Sequence, residues 1–196
     1  MKERTAIVVS DSTKVNPVLL RWMKEQPNAF LASEWCSFKG RDLRAVELNM
    51  IATAFLETDF EWLLLVDADI YPTADIDKLL IADYDVAGCA FVGKDSRTTH
   101  GTADGIISVG CMKISRRALE KIERPWFKFE LTHGGTRYRC ECVHFCEKAL
   151  AAGFHPLQIG VVGHCIPMIV LPVGKDEKQI AVKFPSQWDL SKETKL

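Results

Sequence analysis

Two aspartates one residue apart, Asp67 and Asp69, end an apolar run in the stretch "EWLLLVDADIYPTADIDKLL", residues 61–80. Two neighbouring carboxylates repel, and each is costly to bury without a partner. A chain that delivers both to one place on a stiff segment such as Trp62 to Val66 calls for positive charge there. Carboxylate oxygens suit a hard divalent cation, magnesium or manganese, which commonly shares its shell with substrate phosphates. A solvated turn accounts for the same spacing, because aspartate is a common turn residue. Upstream, Arg41 and Arg44 lie three apart at a helix start, a spacing that puts both on one face. Guanidinium groups grip phosphate oxygens in a fork, so this pair suits an anionic ligand, or else a solvated helix end.

The elements that must position these groups alternate in type. Thr5 to Val9 reads as a buried strand, and Asn16-Pro17 as a cap and first turn of a helix reaching about Lys24. Ala29 to Ala32 reads as a short strand. Leu48, Ile51, Ala52 and Phe55 recur at helical spacing within a helix from about Asp42 to Leu56. Glu61 to Val66 is a strand, and Asp75 to Leu80 a short helix opened by Thr73. Asp85 to Phe91 is a further strand. Val92 to Gly105 is polar and aperiodic, the pattern of a mobile loop over a site. Ile106 to Ile114 is strand-like, Ser115 caps a helix to Ile122, and Glu141 to Ala152 is helical and closed by Gly153. Phe154 to Ile159 and Val161-Val162 are strands or turns ending at Gly163-His164. This alternation predicts an α/β fold whose sheet has a parallel core. Ligands of such sheets gather beyond the carboxyl ends of the strands, where Asp67 and Asp69 fall.

The whole chain sets the limits. Its 196 residues are 47% hydrophobic and 26% charged, which fits one folded domain. We expect that domain over residues 1–175, followed by a charged tail over 176–196. A formal net charge of −1 argues against nucleic-acid binding driven by charge. The apolar run near the N-terminus is short for a signal peptide and no stretch has membrane length, so the expectation is a cytoplasmic protein without a membrane span. Seven cysteines without dense spacing point to reduced thiols.

Several segments together resemble glycosyltransferases of the GT-A fold, the nucleotide-sugar-dependent group with an Asp-x-Asp motif. The resemblance runs over about residues 41–164 and rests on "EWLLLVDADIYP", "DGIISVGCMKISRRALEKI", "YRCECVHFCEKALAAGF" and "GVVGHC" in that order. It implies a GT-A-like, Rossmann-type α/β/α sandwich with a mostly parallel central sheet. It implies metal-dependent transfer of a sugar from a UDP- or GDP-linked donor to an acceptor hydroxyl on a glycan, a protein or a modified nucleobase. Asp67 would then contact the donor ribose or the metal shell, Asp69 would bind Mn2+ or Mg2+, and His164 would complete the metal ligands. Arg41 and Arg44 would lie near the donor diphosphate, and Asp11 near the base and ribose. On the acceptor side, Trp126 would stack on a sugar or base, as readily as it would fill a core, and His100 and His133 would approach the acceptor.

One departure stands out. Inverting members usually begin the late helix with Glu-Asp, the aspartate removing the acceptor proton, whereas this chain reads Glu141-Cys142. Glu141 can serve as the base, since a carboxylate near a hydroxyl meets the need. The exchange leaves the stereochemical outcome open, and with it an inactive relative that keeps donor binding. A structural zinc protein is a rival, because Cys140, Cys142, His144 and Cys146 alternate and Cys165 follows His164. Alternation by two spreads side chains around a helix, which disfavours one tetrahedral ion. A haloacid-dehalogenase-type phosphatase would place its Asp-x-Asp at the first strand, not at residue 67.

Overall fold

The structure is a computed structural model that describes residues 4–10, 15–36, 44–92, 105–132, 137–164, 172–173 and 178–179. Strands β1 (Thr5–Val9) and β3 (Trp62–Val66) pair in parallel, with Val9 opposite Val66. Ala6, Val8, Leu63 and Leu65 face one core, and Ile7, Val9, Leu64 and Val66 the other. A strand with apolar residues on both sides is what a sheet covered on both faces requires.

Around this pair the sheet takes the order β2-β1-β3-β6-β5-β9-β4. The further strands are β2 (Ala29–Leu31), β4 (Ile70–Tyr71), β5 (Val86–Val92), β6 (Cys111–Ser115) and β9 (Leu157–His164). Strands β2, β1, β3, β5 and β9 run one way, and β6 and β4 run against them. Helices α1 (Pro17–Lys24) and α4 (Ala74–Ile81) cover one face through Leu19, Met23, Ile76, Leu79 and Leu80. Helices α3 (Arg44–Leu56), α5 (Arg116–Lys121) and α6 (Glu141–Ala151) cover the other through Leu48, Ile51, Phe55, Leu119 and Phe145. The result is the α/β/α sandwich expected. A short helix α2 (Ala32–Trp35) follows β2, and β7 (Glu130–Thr132) with β8 (Arg137–Arg139) forms a separate hairpin.

Local signals explain the helix ends. The Asn16 side chain accepts from the Val18 N–H at 2.9 Å, with Pro17 at the first helical position. Ser115 Oγ accepts from the Ala118 N–H at 3.0 Å, and Gly153 closes α6 with φ of 87°. Three departures from the sequence reading concern the sheet. The strand expected from Ile106 begins only at Cys111, and it runs antiparallel between β3 and β5. The two pieces expected after Phe154 form one strand, Leu157–His164. Strand β4, two residues long, was not expected; it pairs with β9, Ile70 opposite His164. The expected mobile loop falls largely outside the described residues, as does most of the expected tail; within it, Lys178 and Gln179 pair with Val173 and Pro172. Among the described residues no helix is long and apolar enough to cross a membrane.

A buried cation braces the sheet. Lys113 on β6 is 0% exposed, and its ammonium donates to the carbonyls of Leu80 and Ala82, both at 2.8 Å. These belong to the end of α4 and its cap, whose carbonyls lack partners within the helix. The ammonium also lies 4.4 Å from the centroid of the Trp62 ring. Burial, opposed by Asp83, pushes the Lys113 pKa down from 10.5 to about 8. Replacing Lys113 by Met leaves two carbonyls without their donor, and the expected loss is about 1–3 kcal/mol in urea unfolding. Between pH 8 and 10.5 the unfolded chain holds a proton that the folded chain has released, so Lys113 favours folding more as pH rises. The stability gap between wild type and Lys113→Met should therefore widen from pH 7.5 to pH 10 (the test conditions); a constant gap contradicts a depressed lysine.

Candidate active site

The parallel strands end at one edge of the sheet. Ser10 follows β1, Asp67 follows β3, and His164 is the last residue of β9. The backbone locks the first two together: Ser10 N–H donates to Val66 O at 2.9 Å, and Asp67 N–H to Gly110 O at 2.8 Å. Asp67 to Ile70 then form a turn, closed by the Ile70 N–H on Asp67 O at 3.2 Å. Asn16 holds it from outside, through its N–H on Ala68 O at 2.8 Å and its amide on Ile70 O at 3.1 Å. The turn sends the chain back along β9 as β4, and that pairing brings His164 beside Asp69.

The two aspartates are thereby given different partners. The Arg44 guanidinium pairs with Asp67 Oδ1, and its other arm lies 2.8 Å from Glu47 Oε2. Glu47 is 3% exposed, and its second oxygen accepts from the Ser10 hydroxyl at 2.6 Å. Burial works against the Arg44 charge, but the carboxylates of Asp67 and Glu47, with a smaller contribution from Glu141, outweigh it and raise the arginine's pKa. Asp69, whose side chain is about as exposed as that of Asp67 (38% against 30%), has its Oδ2 3.4 Å from Nε2 of the nearly buried His164. The His164 ring meets Phe91 edge-on at 5.4 Å.

Ser10, Arg44, Asp67, Ala68, Asp69 and Glu141 line one cavity of about 270 Å³, with Ser108, Val109 and Cys142. Glu141 enters it from the first turn of α6, where the helix N-terminus favours negative charge. Cys142 turns into the core at 6% exposure. Its hydrogen bond with Cys140 and its burial push the thiol far up, so it stays protonated near neutrality and supplies no base.

The sequence candidates thus separate. Arg44, Asp67, Asp69 and Glu141 share the cavity, and His164 adjoins Asp69. Trp126 lies elsewhere: it is 1% exposed, its indole N–H donates to Leu119 O at 2.9 Å, and it packs in the core below α3 and α5. A ring so enclosed presents no face to an acceptor here. Asp11, Arg41, His100, His133 and Cys165 lie outside the described residues. Sequence reasoning missed Glu47, Ser10 and Gly110. Glu47 stands three residues after Arg44 and four before Ile51, on the buried side of α3, and an acid in phase with an apolar stripe was the available signal.

Among the described residues no three His, Cys, Asp or Glu side chains are grouped to hold a metal. For zinc, Cys142 and Cys146 are buried in the core, at 6% and 0% exposure, so the alternating cysteines of α6 do not converge with His144 on an ion. At the sheet edge, Asp67 pairs with Arg44, while Asp69, in the turn before β4, and His164, at the end of β9, offer one carboxylate and one imidazole. That pair fits a cation bound by two protein groups and completed by substrate phosphates and water.

No protein-family model matches the sequence, and no curated protein matches it. Among solved structures, A197 from STIV aligns with a TM-score of 0.55 and 19% identity, over 90% of this chain and 93% of that one. A glycosyltransferase involved in glycosylation of the major capsid of PBCV-1 aligns over 62% of this chain and 69% of its own, with a TM-score of 0.37 and 15% identity. Glucosyl-3-phosphoglycerate synthase from Mycobacterium tuberculosis, solved with Mn2+, UDP and glucosyl-3-phosphoglycerate, aligns with a TM-score of 0.44 and 11% identity, over 84% and 72%. The likeness to A197 establishes a shared fold and leaves the chemistry to the site; the other two alignments are too loose to carry an argument.

Gly110 shows how closely the site is built. A methyl group on it would fall 2.9 Å from Asp67 Cγ and 2.8 Å from Phe91 Cζ. Gly110→Ala should therefore displace Asp67 from Arg44. The expected result in a crystal structure of the variant is a rotated Asp67 carboxylate; an unmoved Arg44–Asp67 pair contradicts this account of the glycine.

Proposed function

We propose that the chain is a GT-A-like glycosyltransferase that uses a nucleotide sugar and a divalent cation. The observation that carries this reading is the meeting of Asp67, Asp69, Arg44 and Glu141 on one cavity at the carboxyl edge of the sheet, with His164 against Asp69. The Asp-x-Asp resemblance supports it from the sequence.

Charge explains why a cation belongs there. Among the described residues, Asp67, Asp69 and Glu141 line the cavity and Glu47 lies beneath it, against the guanidinium of Arg44. With His164 neutral, four carboxylates and one guanidinium leave a formal charge of −3. A donor diphosphate, itself anionic, meets net repulsion at such an edge unless positive charge intervenes. Asp69 and His164 are the groups proposed to hold Mn2+ or Mg2+. When bound, the ion would neutralise charge developing on the departing diphosphate, a Lewis-acid contribution of several kcal/mol.

The chain's own groups take the remaining roles. Asp67, fixed by Arg44 through one oxygen, keeps the other for the donor ribose or a water of the metal shell. Glu141 accepts the proton of the acceptor hydroxyl as the bond from that oxygen to the anomeric carbon forms. The bond from that carbon to the diphosphate oxygen breaks, and the nucleoside diphosphate leaves with the electron pair. Cys142 shields this region from the core side without taking part.

Two variants test the roles. Asp69→Ala should abolish the manganese-dependent binding of UDP or GDP seen by calorimetry with the wild type; binding that matches wild type removes Asp69 from the metal site. Glu141→Gln should keep donor affinity and lower release of nucleoside diphosphate from the bound sugar nucleotide by about a hundredfold or more. Unchanged turnover assigns the base to another residue.

A further inference from the structure

Resting on the donor-site reading above, we infer that Glu47 is a positioning residue, which acts through Arg44 to hold Asp67 in the orientation that receives the donor. Three features point to it. Glu47 is 3% exposed and does not itself line the cavity, which it reaches only through Arg44 and Ser10, so it cannot meet a substrate itself. Its two oxygens are divided, one on the Ser10 hydroxyl at 2.6 Å and one 2.8 Å from Arg44. Arg44 in turn carries its second arm to Asp67 Oδ1.

The chain Ser10–Glu47–Arg44–Asp67 thus ties the ends of β1 and β3 to the first turn of α3. Its four members come from three places in the chain, with Arg44 and Glu47 sharing α3; Ser10 and Glu47 are 37 residues apart and Arg44 and Asp67 are 23 apart. A surface arginine facing Asp67 alone would swing freely, since an exposed ion pair is weak and its side chains are mobile. Anchored beneath by a buried carboxylate, the guanidinium has one position, and its planar fork fixes the Asp67 carboxylate in turn.

The arrangement also changes the role of Arg44. With carboxylates on both arms, its charge is spent within the protein, so it serves as a rigid strut for Asp67 and not as a clamp on the donor phosphates. Asp67 is thereby held off the cation, which leaves Asp69 and His164 as the protein's metal ligands. Glu47 sets that division of labour from below the site.

A double-mutant cycle separates positioning from mere support of the fold. Affinity for UDP and GDP with Mn2+ is measured by calorimetry for wild type, Glu47→Gln, Asp67→Asn and the double variant. Glutamine keeps the shape and the acceptor oxygen for Ser10 but removes the charge that holds Arg44. We expect Glu47→Gln to weaken binding by about tenfold or more when Asp67 is intact, the scale on which supporting residues act at metal sites. In the Asp67→Asn background the same change should cost less than about twofold, because the group that Glu47 positions is already disabled. Equal losses in both backgrounds overturn the inference and leave Glu47 a structural residue. Urea unfolding of the same four proteins gives a readout that needs no ligand: coupling between the two substitutions is expected, and strict additivity overturns the Arg44 bridge. A wild type that binds neither nucleotide removes the donor-site reading and this role with it, an outcome distinct from either form of additivity.

Discussion

Two like charges at the end of one buried strand are the constraint on which this molecule turns. Asp67 and Asp69 leave β3 within three residues of chain, and neither a flat strand nor a helix would relieve their repulsion. The chain separates them with a tight turn pinned by Asn16, and gives each its own partner. Asp67 meets Arg44 from α3, and Asp69 meets His164 from β9. Each partner comes from a distant part of the chain, so the packing of α3 on the sheet and the β4–β9 pairing are what bring both to the end of β3.

The first partner is internal and complete, because Glu47 and Ser10 stand behind Arg44. The second is not. An aspartate 38% exposed beside an imidazole at 3.4 Å, on an edge with excess carboxylate, is suited to further positive charge. This asymmetry gives the proposed catalytic reading its physical basis, more than any likeness to other proteins. The departure at Cys142 has its own cause in packing. The position after Glu141 faces the core, where burial and Cys140 keep a thiol neutral, so Glu141 is the carboxylate that α6 presents to the cavity.

Much of the fold was legible in sequence where the signals are local. Apolar runs gave β1 and β3, and the caps at Asn16, Thr73 and Ser115 marked helix starts within a residue or two. What escaped depends on partners far away in the chain. Strand β4 is two residues long, and it exists because Gly163 and His164 lie opposite; no periodicity can appear in two residues. Strand β6 carries a lysine amid apolar neighbours, and its antiparallel direction is fixed by tertiary pairing. Within the site, Asp67, Asp69, Arg44 and Glu141 were singled out by type and spacing. Glu47 was not, because its meaning comes from burial, and Trp126, read as either an acceptor-side ring or a core residue, is 1% exposed and packs in the core.

The central claim is that Asp69 and His164 hold a cation that meets the diphosphate of a nucleotide sugar. Anomalous diffraction at the manganese edge, from crystals soaked with Mn2+ and UDP or GDP, tests it most directly. The account predicts one strong peak between Asp69 Oδ2 and His164 Nε2, touching diphosphate oxygens, with Asp67 still on Arg44. A manganese peak elsewhere, or a nucleotide bound away from this edge, contradicts it.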